Sequence, residues 1–214
     1  MLEMPNGRVP VYLALRDSVW LSEDAGGVVH TFSAVQGGGD RCGTTEEAPV
    51  ERDEVRAVME DPVAQRLLAS GNPARLAYIA LDGTPRVVPV GFSWTGVTLV
   101  IGTVPGSAKV SALQANPVVA LTIDTSAPVW PPNVLLIRGT AAVSLVDGVF
   151  PEYVAAARKV TPAEEFPQWE AGVHALYDRM ARIDVTPTWV KIHDFETRMP
   201  QAVEDLVRTK FGGS

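Results

Sequence analysis

The sequence holds a single cysteine, Cys42, in the loop-like run from Gly37 to Gly43, with no second thiol for a CxxC pair. An internal disulfide is excluded, and the cytoplasm is the expected compartment. Long apolar runs are missing too. None approaches the roughly 20 residues a membrane-spanning helix needs, and Glu3 and Pro5 stand where a signal peptide would carry positive charge, so no membrane contact and no targeting segment are expected. Positive charge is scarce, with 18 Lys and Arg against 25 Asp and Glu for a net charge of -7. Broad attraction to nucleic acid or anionic lipid needs clustered basic residues and does not fit that balance, although a small basic pocket does. His30, His174 and His193 show no HExxH or paired spacing and no GxSxG occurs, so neither a metal site nor a serine nucleophile is assigned.

What is present is a chain of 214 residues, 46% hydrophobic and 20% charged, enough for one large β-domain with an appendage. From Arg8 to Val35, β-branched and aromatic residues alternate loosely and predict two or three short strands. Gln36 to Pro49 is Gly-rich, then acidic, and reads as a linker. The expected division is therefore a β appendage with linker over 1–50 and a main domain over 51–214. Glu51 to Ser70 carries apolar residues at helical spacing, interrupted by Asp61-Pro62, and predicts two short helices. Ala74–Leu81, Thr84–Trp94 and Val97–Thr103 follow as strands around Asp82-Gly83 and Thr95-Gly96 turns, an expected antiparallel meander with Pro85 and Pro89 at edge or bulged positions. Then come a helix from Ser107 to Gln114, strands over Val118–Asp124 and Asn133–Val146 with Gly139 as a bend, helices over Pro151–Val160 and Pro162–Met180, a strand over Ala181–Phe195 and a tail helix to Phe211.

A strand-to-helix junction with Ser107 at the N-cap and Lys109 in the first turn is a phosphate seat in outline, because free amides and the positive helix end favour an anion. Arg86, in Thr84-Pro85-Arg86-Val87-Val88-Pro89-Val90, would approach the same anion if its strand neighbours the end of Val97–Thr103. Taken alone, the same residues also suit an ordinary cap, a solvated lysine and an exposed strand arginine. Trp94, Trp130 and Trp189 are large enough to stack on a ring, and equally common as core residues.

The succession Ala74 to Val90, Phe92-Ser93-Trp94-Thr95-Gly96, Gly102-Thr103, Ser107-Ala108-Lys109 and Asn116-Pro117 resembles the FMN-binding split-barrel family, which includes pyridoxamine 5′-phosphate oxidase and the F420-dependent oxidoreductases. The resemblance spans roughly Glu54 to Pro200. It implies a mainly β fold with α, a six-stranded antiparallel split β-barrel with peripheral helices. It implies a cofactor, FMN or alternatively F420, with Arg86, Val87, Val88 and Pro89 along the ring and ribityl chain, Thr103, Ser107, Ala108 and Lys109 at the phosphate, and Trp189 as a further contact. It implies a homodimer and hydride transfer to or from a small organic substrate, with no side chain required as acid or base. Ala108 stands where the oxidase proper has a second basic residue, and Thr188 to His193 lacks its arginine-leucine pattern, so pyridoxamine phosphate oxidation is not expected. A non-catalytic carrier of haem, biliverdin or flavin on the same fold is the alternative.

Overall fold

The computed structural model describes residues 52–125, 131–195 and 197–211. The appendage and linker expected over 1–50, with Cys42 and His30, and also Trp130, lie outside the described residues.

Asp61-Pro62 divides the first helical stretch as predicted, into α1 (Arg52–Glu60) and α2 (Pro62–Ala69). The Asp61 carboxylate accepts from the Val63 N–H at 2.7 Å, and Pro62 sits where a missing N–H is harmless. The strands β1 (Ala74–Ile79) and β2 (Pro85–Val90) meet through Asp82-Gly83, with Gly83 at φ 78. A second turn with Gly96 at φ 93 joins β3 (Ser93–Trp94) to β4 (Leu99–Thr103). Both glycines occupy backbone conformations that L side chains resist. After them come α3 (Ala108–Ala115), β5 (Val118–Asp124), β6 (Val134–Asp147), α4 (Pro151–Arg158), α5 (Phe166–Leu176), β7 (Arg179–His193) and α6 (Gln201–Phe211).

All pairings are antiparallel, in the order β2-β1-β5-β6-β7-β4-β3. Two expectations are corrected here. The sheet has seven strands rather than six, because Thr84–Trp94 is not one strand but breaks at Gly91-Phe92. Phe92 and Ser93 are both buried, at 2% and 6% exposure, so the alternation slips by one residue at that point. The expected three-strand meander is likewise divided, since β2 pairs with β1 and β3 with β4, at opposite ends of the sheet order. Two residues of chain therefore link the two ends of the sheet, which must curl until those ends meet.

The β6–β7 ladder shows the bend expected at Gly139 as a register shift between Arg138 and Gly139. A Cβ on Gly139 would stand 2.5 Å from the Thr186 carbonyl oxygen, so the close approach requires glycine. The ladder runs on to Asp147↔Arg179, which starts β7 two residues before the expected Ala181 and leaves α5 shorter than the expected Pro162–Met180. Alternate residues of the strands fill the core, among them Leu76, Leu99, Leu121, Ile137 and Ile183, each burial contributing about 1.5–3 kcal/mol. Beyond β7, Arg198 donates to Asp61 at 2.6 Å and to Asp194 at 2.9 Å, tying the approach to α6 onto the α2 cap. No described helix is long and apolar enough to cross a membrane.

Candidate functional site

β4 delivers the chain into Val104-Pro105-Gly106-Ser107, and α3 opens at Ala108. Ser107 is the N-cap residue, with φ −72 and ψ 141, but its hydroxyl makes no capping bond. It accepts instead from the Thr103 hydroxyl at 3.4 Å. The N–H groups of Ala108 and Lys109 have no backbone acceptor among the described residues, so the opening of α3 retains unsatisfied donors. The Lys109 side chain is half-buried and has no hydrogen-bond or ion-pair partner among the described residues. Burial pushes its ammonium below the usual lysine range.

Lys109 faces a cavity of about 530 Å³, within the span of ordinary small-molecule sites. One wall is the rim from Ser70 to Pro73 after α2, a second is Pro89, Val90, Gly91 and Phe92, and a third is α4 with Tyr153, Ala156 and Ala157. Lys159, just past α4, completes it. The curl of the sheet brings these together, because the Gly91-Phe92 joint and β4 both belong to the seam. Gly102 of β4 also lines the cavity, and a Cβ there would collide with the Tyr153 ring. That ring is fixed from behind by Trp169, stacked at 5.9 Å, and by Phe150 and Tyr177 edge-on. Burial first, then Tyr177, holds the Tyr153 phenol above its usual range, so it stays neutral. Gly102→Ala should therefore displace Tyr153 and destabilise the fold by about 1–3 kcal/mol, as overpacking does; a variant with unchanged thermal midpoint and unchanged Tyr153 environment would show the seam to be looser than described.

Of the residues singled out from sequence, Pro89 and Lys109 line this cavity. Val87 and Val88 lie on β2 outside the lining, and Thr103, Ser107 and Ala108 sit one turn of chain from Gly102 and Lys109. Arg86 is not beside β4. It pairs with Tyr78 in the β1 register and donates to Asp82 at 2.9 Å, while also bonding the Thr84 hydroxyl. Trp189 stands opposite Arg138 in the β6–β7 ladder with the guanidinium 4.3 Å from its ring centroid. Trp94 is half-buried against the core. His193 is buried, its Nδ1 without a partner, and burial lowers its basicity. Sequence reasoning missed Tyr153 and Lys159, and named Gly102 only within the family succession, without a place in the site. Only Gly102, a glycine inside an apolar strand, gave any local signal.

A family profile for pyridoxamine 5′-phosphate oxidase matches residues 61–193, which takes in the sheet, the opening of α3 and all the cavity walls. The chain belongs to the pyridoxamine 5′-phosphate oxidase family. Among solved structures, an F420 reductase shares 28% identity at a TM-score of 0.46, covering 59% of this chain and 94% of its own. A conserved hypothetical protein of Mycobacterium tuberculosis shares 15% at a TM-score of 0.48, over 71% of this family member and 90% of its own chain. HutZ, the heme storage protein of Vibrio cholerae, shares 16% at 0.46, over 62% and 92%. No curated protein matches this member of the pyridoxamine 5′-phosphate oxidase family.

Proposed function

We propose that this protein is an oxidoreductase that holds a flavin-type cofactor, FMN or the deazaflavin F420, in the cavity beside α3 and passes a hydride to or from a small organic substrate. The observation that carries the reading is the unpartnered Lys109 ammonium facing a cavity at a helix opening with free amides. The residues present fit such a group. Lys109 supplies the full charge for a phosphate, and the Ala108 and Lys109 amides supply directed donors. Pro89 and Tyr153 give apolar surfaces for a flat ring, and Gly91, with open space where a Cβ would stand, leaves room for its approach. The cofactor, when bound, supplies the hydride chemistry itself. The chain's part is to bind, orient and exclude water, and the neutral Tyr153 keeps a charge away from the ring.

A homodimer is part of the same reading. Val87, Ala77 and Ala120 stand side by side across β2, β1 and β5, with Val87 at 65% exposure and Val118 nearby also at 65%. A second copy would cover this apolar face of the sheet. The deciding experiment is the mass and absorption spectrum of whatever copurifies. Yellow protein with a band near 450 nm supports bound flavin, and colourless protein that takes up added F420 supports the deazaflavin branch. Protein that binds neither, or that carries a tetrapyrrole, moves the assignment to a carrier or regulatory role.

A further inference from the structure

Lys109 shares its cavity with a second ammonium. Lys159 Nζ donates to the Leu68 carbonyl at 2.7 Å and to the Phe92 carbonyl at 3.0 Å, and stands 4.2 Å from the Phe92 ring centroid. Those two acceptors use two of its three N–H donors, and Lys159 lines the cavity with the third still to be satisfied. Neither lysine meets a carboxylate among the described residues. Several arginines of the chain are paired instead. Arg75 pairs with Asp124, Arg182 with Asp184 and Glu152, and Arg198 with Asp61 and Asp194. With 25 acidic residues against 18 basic ones, carboxylates are in surplus. Two partly buried ammoniums left without one are therefore a feature of the cavity rather than a shortage of partners. Burial disfavours the charged form of both, and an anion arriving from outside would relieve that cost.

We propose that Lys159 is the seat of a second anionic group, so that the cavity selects occupants with two separated negative charges, one at Lys109 and one at Lys159, an assignment that rests on the cofactor reading above. The second group is a carboxylate or phosphate. A lysine ammonium is a compact point charge without the planar fork of arginine, so it accepts either oxyanion. The group belongs either to the side chain of the cofactor or to a small organic acid bound next to it, and these two sources separate experimentally.

The test is a set of calorimetric titrations on the full chain, using riboflavin, FMN and F420, and then pyruvate added to FMN-saturated protein. In the wild type, F420 binding at least tenfold tighter than FMN places the second charge on the cofactor. Pyruvate binding to the FMN-loaded protein places it on a separate substrate. Lys159→Gln keeps donors for the Leu68 and Phe92 carbonyls and removes the charge. It should abolish that second-anion gain by about tenfold or more, the factor of one charge-assisted hydrogen bond, while the FMN-to-riboflavin ratio stays within twofold. Raising salt from 50 to 300 mM should shrink the same gain in the wild type, which needs no variant. Equal weakening of every probe in Lys159→Gln would leave the lysine as a structural pin and overturn the proposal. So would a wild type in which neither F420 nor pyruvate shows any gain, or a gain indifferent to salt. If Lys109→Ala leaves FMN affinity unchanged, the cofactor reading itself fails. If only Lys159→Gln is silent, the loss is confined to the second anion.

Discussion

Lys109→Ala is expected to weaken FMN binding by about 1.5–3 kcal/mol, roughly 10- to 150-fold, with riboflavin affinity nearly unchanged. The size follows from comparing the two sources of attraction at the opening of α3. The helix end contributes about 0.3–1 kcal/mol toward an anion, while a charge-assisted hydrogen bond from a half-buried ammonium is worth about 1.5–3 kcal/mol. The side chain therefore dominates, and Ser107→Ala should cost less than Lys109→Ala. pH gives an independent check. Burial holds the free Lys109 below the usual lysine value, and a bound phosphate would raise it again. Between those two values the complex carries a proton that the free protein lacks, so affinity must fall as pH rises through that window and be insensitive to this group below it. Calorimetry from pH 7 to 10 reads the effect. Wild-type affinity that is flat to pH 10, together with a silent Lys109→Ala, would relocate the anion. For folding the sign is opposite: the unfolded chain holds the extra proton in the alkaline window, so this lysine's contribution to stability improves as pH rises.

The second large effect lies in the wall rather than the site. Leu121 sits at the middle of β5 with 2% exposure, opposite Leu76 of β1 and Ile137 of β6. Leu121→Ala should cost about 2–5 kcal/mol, the sum of lost transfer energy and the cavity left behind. Urea denaturation should show a lower midpoint with an unchanged slope. Because Leu121 is not a lining residue, FMN affinity of the folded variant should stay within twofold of wild type. A loss under about 1 kcal/mol would mean that the sheet relaxes around the gap far more than close packing allows.

The sequence made most strands and the two glycine turns legible, since Asp82-Gly83 and Thr95-Gly96 act within a few residues. Asp61-Pro62 spoke just as directly. The break at Gly91-Phe92 was hidden because the apolar pattern on either side suits one continuous strand, and only the exchange of partners, a long-range event, divides it. That exchange also explains the unequal view of the site. Lys109 announces itself through its place after Ser107, whereas Lys159 becomes meaningful only when its ammonium reaches carbonyls 91 and 67 residues away in sequence. Arg86 was drawn toward Lys109 by an assumed neighbour for its strand, and its pairing with Asp82 is instead the local chemistry of its own hairpin. Tyr153 lay in a stretch whose helical character was plain, but helical spacing does not say which face meets the Gly102 backbone.

The prolines of β2 have a consequence for what can pair with its free border. Thr84 accepts from the Ala80 N–H at 2.9 Å, so the hydrogen-bonded pairs of the hairpin fall on even-numbered residues of β2, and Pro85, Val87 and Pro89 aim their main-chain groups away from β1. Two of the three amides on that outer border are thus missing, and an incoming strand would find only the Val87 N–H to donate to it. Strand addition is therefore weakened at this border, so a second copy approaching it would gain more from meeting the face of the sheet than its edge.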